Sequence, residues 1–562
     1  MMNYINTSVA FIVVLFSQFP LFAQKLPISG NTQNYYYLEE IFAKMHDPLA
    51  ATQTFYEALE NLNRPSKENE ERLARLGADI VDIMSTAEFK QWKKLKTAEN
   101  KIAFLKRFWH GRDLTPATVA NERLVEHYQR LLYARENYAW FDIKEYDDRG
   151  QIYVQYGPPD DKIEDGMNSG TVSLSSWVYH RLGRSVSFDF VNAGYGRYQL
   201  TTRLSEAIRV VYPHTYVSAL EELLRHRIFL HPNYLHLYVN LDDIFELNRQ
   251  DPGAVIKGFN QIRARIDRYV NEYSIGASND QARLPKASTE TLKDSDDLPY
   301  TINLARFQGT EHKLDLVAAY GLRKADLKGK ADTLRIQVFS AIRDTTLQIL
   351  ASREMTHYWD VRLSQTPEEF VSLITYSLPT GKYYLALDIS NTLGRQRGLR
   401  DFSAMLDGYP NGILHLSSAI FAMAVSPGSD SLTNSYTLNR YNLSIAPYPF
   451  TSIKRHTPIF VYFEIYDLQR DVSGETFYEV EYEVHEPAKK GFASLLASLN
   501  PFGKSGGSIS VSDTRRGKAA VEPTYLQLDF SQLRSGKYDL IVRVTDKVAH
   551  ITKESKLEFE LE

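Results

Sequence analysis

The chain has 562 residues and no cysteine. That excludes disulfides, thiolate metal sites, a cysteine nucleophile and a lipid anchor on an N-terminal cysteine. An excess of one charge is missing too: 65 Lys and Arg stand against 69 Asp and Glu, a formal charge of −4. A chain so balanced has no electrostatic footprint for nucleic acid, which takes a basic patch or stripe. No apolar run reaches the about 20 residues that a membrane-spanning helix needs. Local signatures of chemistry are absent as well. There is no Walker loop, no Gly-x-Ser-x-Gly and no Gly-x-Gly-x-x-Gly after a strand.

What is present is core-forming material. The hydrophobic fraction is 43%, with 36 Tyr and 28 Phe, which excludes a wholly disordered chain. At about 100–200 residues per domain, the length suggests three or four domains. The run Val9-Ala10-Phe11-Ile12-Val13-Val14-Leu15-Phe16 is followed by Pro20 and Leu21-Phe22-Ala23. It is short and suits the apolar stretch of a secretory signal over residues 1–23, cleaved after Ala23, although no Lys or Arg precedes it. An uncleaved N-terminal anchor is the alternative.

Residues 24–82 read as helical hairpins, with Leu38, Ile41, Phe42 and Met45 on one face and Phe55, Leu59 and Leu62 on another. Ser85-Thr86-Ala87-Glu88 reads as a capping box, and Thr97 as the start of a further helix. Thr115-Pro116 reads as a cap with proline at the first helical position. After Gly150 the period changes to two: Ile152, Val154 and Tyr156 alternate with Tyr153 and Gln155, and Gly157-Pro158-Pro159-Asp160 closes the expected strand. Strands are expected at Trp177-Val178-Tyr179, 186–191 and 198–202, making residues 83–205 a small α+β unit. Residues 206–298 return to helix and end in a polar linker over 276–298.

From residue 299 the pattern is β, expected as two sandwiches over 299–425 and 435–562. An internal echo supports two copies. Gly381-Lys382-Tyr383 and Gly536-Lys537-Tyr538 recur in similar apolar contexts and read as the closing hairpin of an immunoglobulin-like sandwich. Residues 488–520 read as a long loop within the second copy.

Residues 83–205 resemble the GWxTD-domain family of Bacteroidota and related bacteria. The likeness rests on Ile83-Met84-Ser85-Thr86-Ala87-Glu88, Lys94-Leu95-Lys96-Thr97, Phe108-Trp109, Arg112-Asp113-Leu114-Thr115-Pro116 and Asn121-Glu122. It continues through Asp148-Arg149-Gly150-Gln151-Ile152-Tyr153-Val154-Gln155-Tyr156-Gly157-Pro158-Pro159-Asp160, Trp177-Val178-Tyr179 and Gly196-Arg197-Tyr198. The naming motif itself is replaced by Lys144-Glu145-Tyr146-Asp147-Asp148, of which the final Asp alone matches. The resemblance implies an envelope protein and a fold, with no activity attached.

Candidate chemistry is sparse. Asp147, Asp148, Asp160 and Asp161 could pair as carboxylates for acid–base work or a cation, but Asp beside Gly and Pro is a turn residue first. His226, His231 and His236 recur every five residues, whereas helical ligand pairs are spaced three or four apart. No catalytic, cofactor or metal residue is singled out. The remaining hint is aromatic: a face formed by Arg149, Tyr153, Gln155, Pro158, Pro159, Trp177 and Tyr179 is the candidate for contact with other envelope proteins, Tyr153 and Gln155 being the exposed pair of their strand. The sequence thus reads as multidomain α and β: helical hairpins, a GWxTD-like α+β domain and two immunoglobulin-like sandwiches. The expected role is a non-enzymatic interaction scaffold, exported to the periplasm or outer membrane of a Gram-negative bacterium. A hydrolase or carbohydrate-binding protein with appended sandwiches is the rival.

Overall fold

A computed structural model of the chain describes residues 46–166, 170–182, 185–285, 295–328, 333–360, 368–392, 395–409, 412–428, 435–486 and 509–562. The signal-like segment lies outside them. As far as described, one compact unit is built from Met1–Ile102 and His127–Lys286, and a second from Ala103–Glu126 and Ala287–Glu562.

The N-terminal helices are α1 (Pro48–Asn61), α2 (Lys67–Asp79), α3 (Thr86–Lys94), α4 (Ala98–His110), α5 (Glu122–Asn137) and α6 (Asp148–Tyr156). Their starts follow from side-chain oxygens that satisfy the first amides of a helix. Asp47 caps α1 ahead of Pro48, and Ser66 caps α2. Ser85 and Glu88 form the expected capping box on α3. Thr97 Oγ1 accepts from the Asn100 amide at 3.2 Å. The helix expected from Pro116 starts later. Residues 114–120 are turn and coil, and Asn121 caps α5 by accepting from the Leu124 amide at 2.9 Å.

In the first unit, β1 (Asp161–Asp165), β2 (Leu174–Tyr179), β3 (Val186–Gly194) and β4 (Arg197–Thr201) form an antiparallel sheet in that order. Helices α7 (Pro213–Arg227), α8 (Pro232–Gln250) and α9 (Pro252–Ala282) pack on one face of it. Strand period decides which residues meet them. Leu174 and Val178 join Leu220, Leu224, Leu241, Ile266 and Val270 in one core. The alternate residue, Trp177, turns to the opposite face and meets Tyr138 and Phe190 at ring distances of 5.3 and 4.9 Å. Helix α9 reaches Ala282, well into the stretch expected as linker, and residues 286–294 lie outside the described residues.

The second unit contains 19 strands among its described residues. In chain order they are β5 (Asp296–Asp297), β6 (Thr301–Gln308), β7 (Leu314–Arg323), β8 (Thr333–Arg343), β9 (Ile349–Asp360), β10 (Glu369–Leu378), β11 (Gly381–Asn391), β12 (Gln396–Leu406), β13 (His415–Leu416) and β14 (Ile420–Pro427). There follow β15 (Leu438–Arg440), β16 (Leu443–Pro447), β17 (Ser452–Ile453), β18 (Ile459–Tyr466), β19 (Thr476–His485), β20 (Ile509–Gly517), β21 (Val521–Leu528), β22 (Gly536–Asp546) and β23 (Ile551–Leu561). Two sheets, β10-β7-β6 and β5-β12-β11-β8-β9, enclose one core around Ile336, Val338, Leu385 and Leu387. Two more enclose a second core around Val461, Phe463, Val480, Leu540 and Val542. These are the sheet containing β14, β18 and β21, and the sheet β17-β23-β22-β19-β20. A third cluster, with Phe307, Val317 and Leu373 on one side and Ile420, Ile445 and Tyr462 on the other, joins the two inner sheets. The result is four stacked β layers. Gly321 is required there, because a Cβ would lie 2.5 Å from the Phe450 ring.

Three expectations are corrected. The Gly-Lys-Tyr echo is no hairpin: β10 and β11 lie in different sheets, and so do β21 and β22. Each echo is an arch between sheets, turned at Gly381 (φ 154°) and Gly536 (φ 156°). Each is fastened by the same bond, from Tyr383 Oη to the Pro379 carbonyl and from Tyr538 Oη to the Arg534 carbonyl, both 3.0 Å. Next, β14 falls in the stretch assigned to the first sandwich yet sits between β18 and β16 in the second. Finally, residues 509–517, expected as loop, form β20 paired with β19, while 487–508 lie outside the described residues.

Candidate functional site

Residues 144–148 are fully engaged inside the first unit. Lys144 Nζ meets Asp82 at 2.6 Å, and Tyr146 Oη donates to the same carboxylate at 2.9 Å. Glu145 pairs with Arg75 and Arg135, and Arg135 also holds the buried Asp79 at 2.5 Å. Asp147 caps α6 and accepts from the Tyr198 amide at 3.0 Å, while Asp148 accepts from the Leu200 amide at 2.8 Å. The two carboxylates therefore tie the start of α6 to the outer edge of β4. Gly150 lets the Tyr146 ring lie against the helix, since a Cβ would come within 2.5 Å of Tyr146.

The expected strand over 152–156 is helix α6, and the expected exposed pair is buried: Tyr153 and Gln155 are each 7% exposed. Tyr153 stacks on Tyr133 at 4.4 Å, and Gln155 Nε2 donates to the Asp82 carbonyl at 2.8 Å. Trp177 and Tyr179 have no exposed surface. A short apolar run suits a buried helix as well as a strand, and the second half of α6, from Ile152 to Tyr156, is buried throughout. Arg149 is half-buried, bonded to Asp147 at 2.8 Å with its guanidinium 3.7 Å from the centre of the Tyr198 ring. Pro158 and Pro159 are partly exposed behind Gly157, whose φ of 76° ends the helix. The carbonyls released there are held by arginines. Arg130 takes that of Gln155 at 3.2 Å, and Arg181 takes that of Tyr156 at 2.9 Å. The seven residues are brought together, then, as packing around α6.

The carboxylates and histidines considered for metal are likewise occupied. Burial works against ionisation of Asp160, yet bonds from the Arg181 and His180 amides and the Arg181 charge bring its carboxyl below the usual range. His226 meets Asp165 at 3.0 Å, and His231 caps α8. Among the described residues no three His, Asp or Glu side chains are grouped to hold a metal ion. A hollow between the two inner sheets, lined by Ala305, Val317, Ile420 and Tyr448, measures about 10 Å³, at the lower limit for one water.

Two arrangements were missed in the sequence. The first is a pair of loops at the edge of the first unit. Residues 139–146 form a closed loop: Ala139 bridges Tyr146, the Trp140 amide donates to the Glu145 carbonyl at 3.1 Å, and Asp142 accepts from the Lys144 and Glu145 amides. Its tip carries Phe141, 99% exposed, and Ile143, 75% exposed. Beside it, the β3–β4 turn projects Tyr195, fully exposed, between two positive-φ glycines. Arg197 joins the loops, its guanidinium 5.4 Å from the Trp140 ring centre. The apolar residues Phe141 and Ile143 beside a Trp were a legible signal, obscured because they fall in an irregular segment with no periodicity.

The second lies in the other unit, where residues 111–122 cover the outward face of β8, β11 and β12. Ala341 and Ala386 stand opposite each other there and are buried. Arg343 donates to the carbonyls of Pro116 and Thr118, and Arg397, paired with Asp388, donates to that of Leu114 at 3.1 Å. Burial, then the neighbouring Glu122, push the Asp113 carboxyl up to about 7. Burial also raises Glu122, whose carboxylate takes the Thr115 hydroxyl. Burial and the Arg343 charge lower His110.

No protein-family model matches this chain, and no curated protein matches it.

Proposed function

We propose that this chain is an exported, non-enzymatic envelope protein that works as a protein-interaction scaffold, a divergent member of the GWxTD-domain family with two immunoglobulin-like sandwiches. The observation that carries the interaction reading is the rigid loop pair bearing Phe141, Ile143 and Tyr195. Single exposed apolar residues are ordinary. Three of them on two loops held by their own hydrogen bonds and by the Arg197–Trp140 contact are a preorganised recognition surface, which loses little entropy on binding. Aromatic anchors of this kind dominate interface energies.

The sandwich reading is supported by the repeated strand arrangement. In each copy three strands (β6, β7, β10; β14, β18, β21) face four (β8, β9, β11, β12; β19, β20, β22, β23). The paired tyrosine-to-carbonyl bonds at the arches match the tyrosine corner of such sandwiches. Export is supported by the apolar run before Ala23. Among the described residues no helix is long and apolar enough to cross a membrane. The interaction reading is tested by recovering partners from the native envelope with wild type and with Phe141→Ser/Tyr195→Ser. Recovery should fall at least ten-fold while the melting temperature stays unchanged. Equal recovery would refute the reading.

A further inference from the structure

Residues 111–122 lie on the outward face of the first sandwich without joining its sheet. Residues 111–120 pair with no strand among the described residues. Their attachment runs through side chains. Arg343 donates to the Pro116 and Thr118 carbonyls, and Arg397 donates to the Leu114 carbonyl. Pro116, Ala117, Ala341 and Ala386 are buried there. A segment held by a few such bonds and small apolar groups can come away locally, with no strand ladder broken.

The charges around the segment decide when. Asp113 and Glu122 converge on one residue. Asp113 Oδ1 accepts from the Thr115 amide at 3.0 Å, and the Glu122 carboxylate takes the Thr115 hydroxyl. Both acids are half-buried. The groups that face them are mixed: Arg343 from β8, Asp388 from β11, Arg397 and Asp401 from β12, and His110 from α4. Arg397 is already engaged, its Nε 2.8 Å from Asp388. Arg112, the cation beside Asp113, turns to α4, with its guanidinium 3.6 Å from the centre of the Phe108 ring. The contact therefore gathers more carboxyl groups than guanidinium groups.

We propose that residues 111–122 are a pH-sensitive strap, closed over β8, β11 and β12 in mildly acidic surroundings and released as they turn neutral, while the sandwich beneath stays folded. Burial, then Glu122, raise the Asp113 carboxyl to about 7, and burial raises Glu122. Closing the strap thus takes up protons, and its stability falls as the pH climbs from the ordinary carboxyl range to about 7. His110, lowered by burial and then by Arg343, acts in the opposite sense. Two acids acting together outweigh one imidazole. The strap goes beyond the scaffold reading and shares no residue with the loops at 139–146 and 194–197, so either can fail alone.

The test is hydrogen exchange on the full chain at about pH 5.5 and about pH 7.5, corrected for intrinsic exchange. The reporters are the amides of Thr115, which donates to Asp113, and Thr118, which donates to the Thr115 carbonyl at 2.8 Å. Their protection should fall about ten-fold or more at the higher pH while the β11 amides keep theirs. Asp113→Asn/Glu122→Gln keeps both acceptors and should abolish the fall. A second readout uses the absence of cysteine. In Ala117→Cys the single thiol should react about ten-fold faster at the higher pH than its thiolate fraction alone explains. Equal protection at the two pH values would overturn the proposal, as would a fall shared by β11 or one that survives in the double variant. Labelling that tracks thiolate fraction alone would overturn it too.

Discussion

The two sandwiches share a strand order and a corner but not an outer surface. In the second, the outer sheet is laced with ion pairs: Arg543 to Glu481 at 2.6 Å, Lys547 to Glu479 at 2.5 Å and Lys556 to Asp539 at 3.1 Å. Such a face is hydrated and self-satisfied. In the first, the equivalent sheet has a small-residue centre at Ala341 and Ala386, covered by residues 111–122 through Arg343 and Arg397. The inward pattern of alternating Val, Ile, Leu and Tyr sets the topology in both copies. What differs is the outward residue at each alternate position.

If the sandwiches were merely two beads on a string, changes in one would leave the other alone. The inner sheets contradict that, because Arg440 bonds Glu464 on one side and Asp315 on the other, at 2.8 Å, with Tyr462 and Tyr466 donating to Glu464. Removing one partner of a buried ionic group costs about 3–5 kcal/mol. Glu464→Gln should therefore lower the melting temperature of both sandwiches together, read by calorimetry. Two separate transitions with only one displaced would restore the bead picture.

The covered face of the first sandwich should respond to pH, and the second should not respond in the same way. Asp113 has a carboxyl raised to about 7. A raised acid favours the folded, protonated form at low pH, and that contribution is lost as pH climbs from its ordinary value through about 7. Asp113→Asn should thus gain about 1–2 kcal/mol relative to wild type above neutrality and gain nothing near pH 4. Glu122 acts in the same sense. His110, lowered by burial and Arg343, acts in the opposite one, losing stability as pH falls. A pH-independent difference between variant and wild type would show that Asp113 does not titrate in this contact.

The corners give the smallest and most symmetrical effect. Tyr383→Phe and Tyr538→Phe each remove one hydroxyl-to-carbonyl bond of 3.0 Å. Each should cost about 0.5–1.5 kcal/mol in denaturant unfolding, and the two costs should agree within about 0.5 kcal/mol. A large effect at one and none at the other would mean that the repeated motif is not doing the same work twice.

Much of this architecture was legible in the residues. The capping box at Ser85, the alternation in β8, β11, β18 and β22, and the echo at Gly381 and Gly536 are local signals, and local signals survive folding. What was not legible depends on tertiary burial. Ile152 to Tyr156 carry strand-like alternation, but Asp147 caps a helix and packing on both sides of α6 overrides the period. The Gly-Lys-Tyr turn specifies a reversal, not whether the returning strand joins the same sheet. Membership of β14 in the second sandwich is a long-range pairing that no composition shift marks. The candidate face at Tyr153 and Trp177 was an aromatic cluster, and aromatic clusters in a small sheet are as often interior as surface. Phe141 and Ile143 were passed over because irregular loops give no periodicity to read.

The central claim is that the family-like segment around α6 is scaffolding and that recognition belongs to the loop pair beside it. The direct measurement is partner recovery from the native envelope, with a melt of each protein, for wild type, Phe141→Ser/Tyr195→Ser and Tyr153→Ala. The account predicts that the loop variant melts like wild type and loses its partners. It predicts that Tyr153→Ala is destabilised by about 3–5 kcal/mol, as large-to-small changes in a core are, yet still recovers partners at temperatures where it is folded. Intact recovery by the loop variant, with lost recovery by a stably folded Tyr153→Ala, would contradict it.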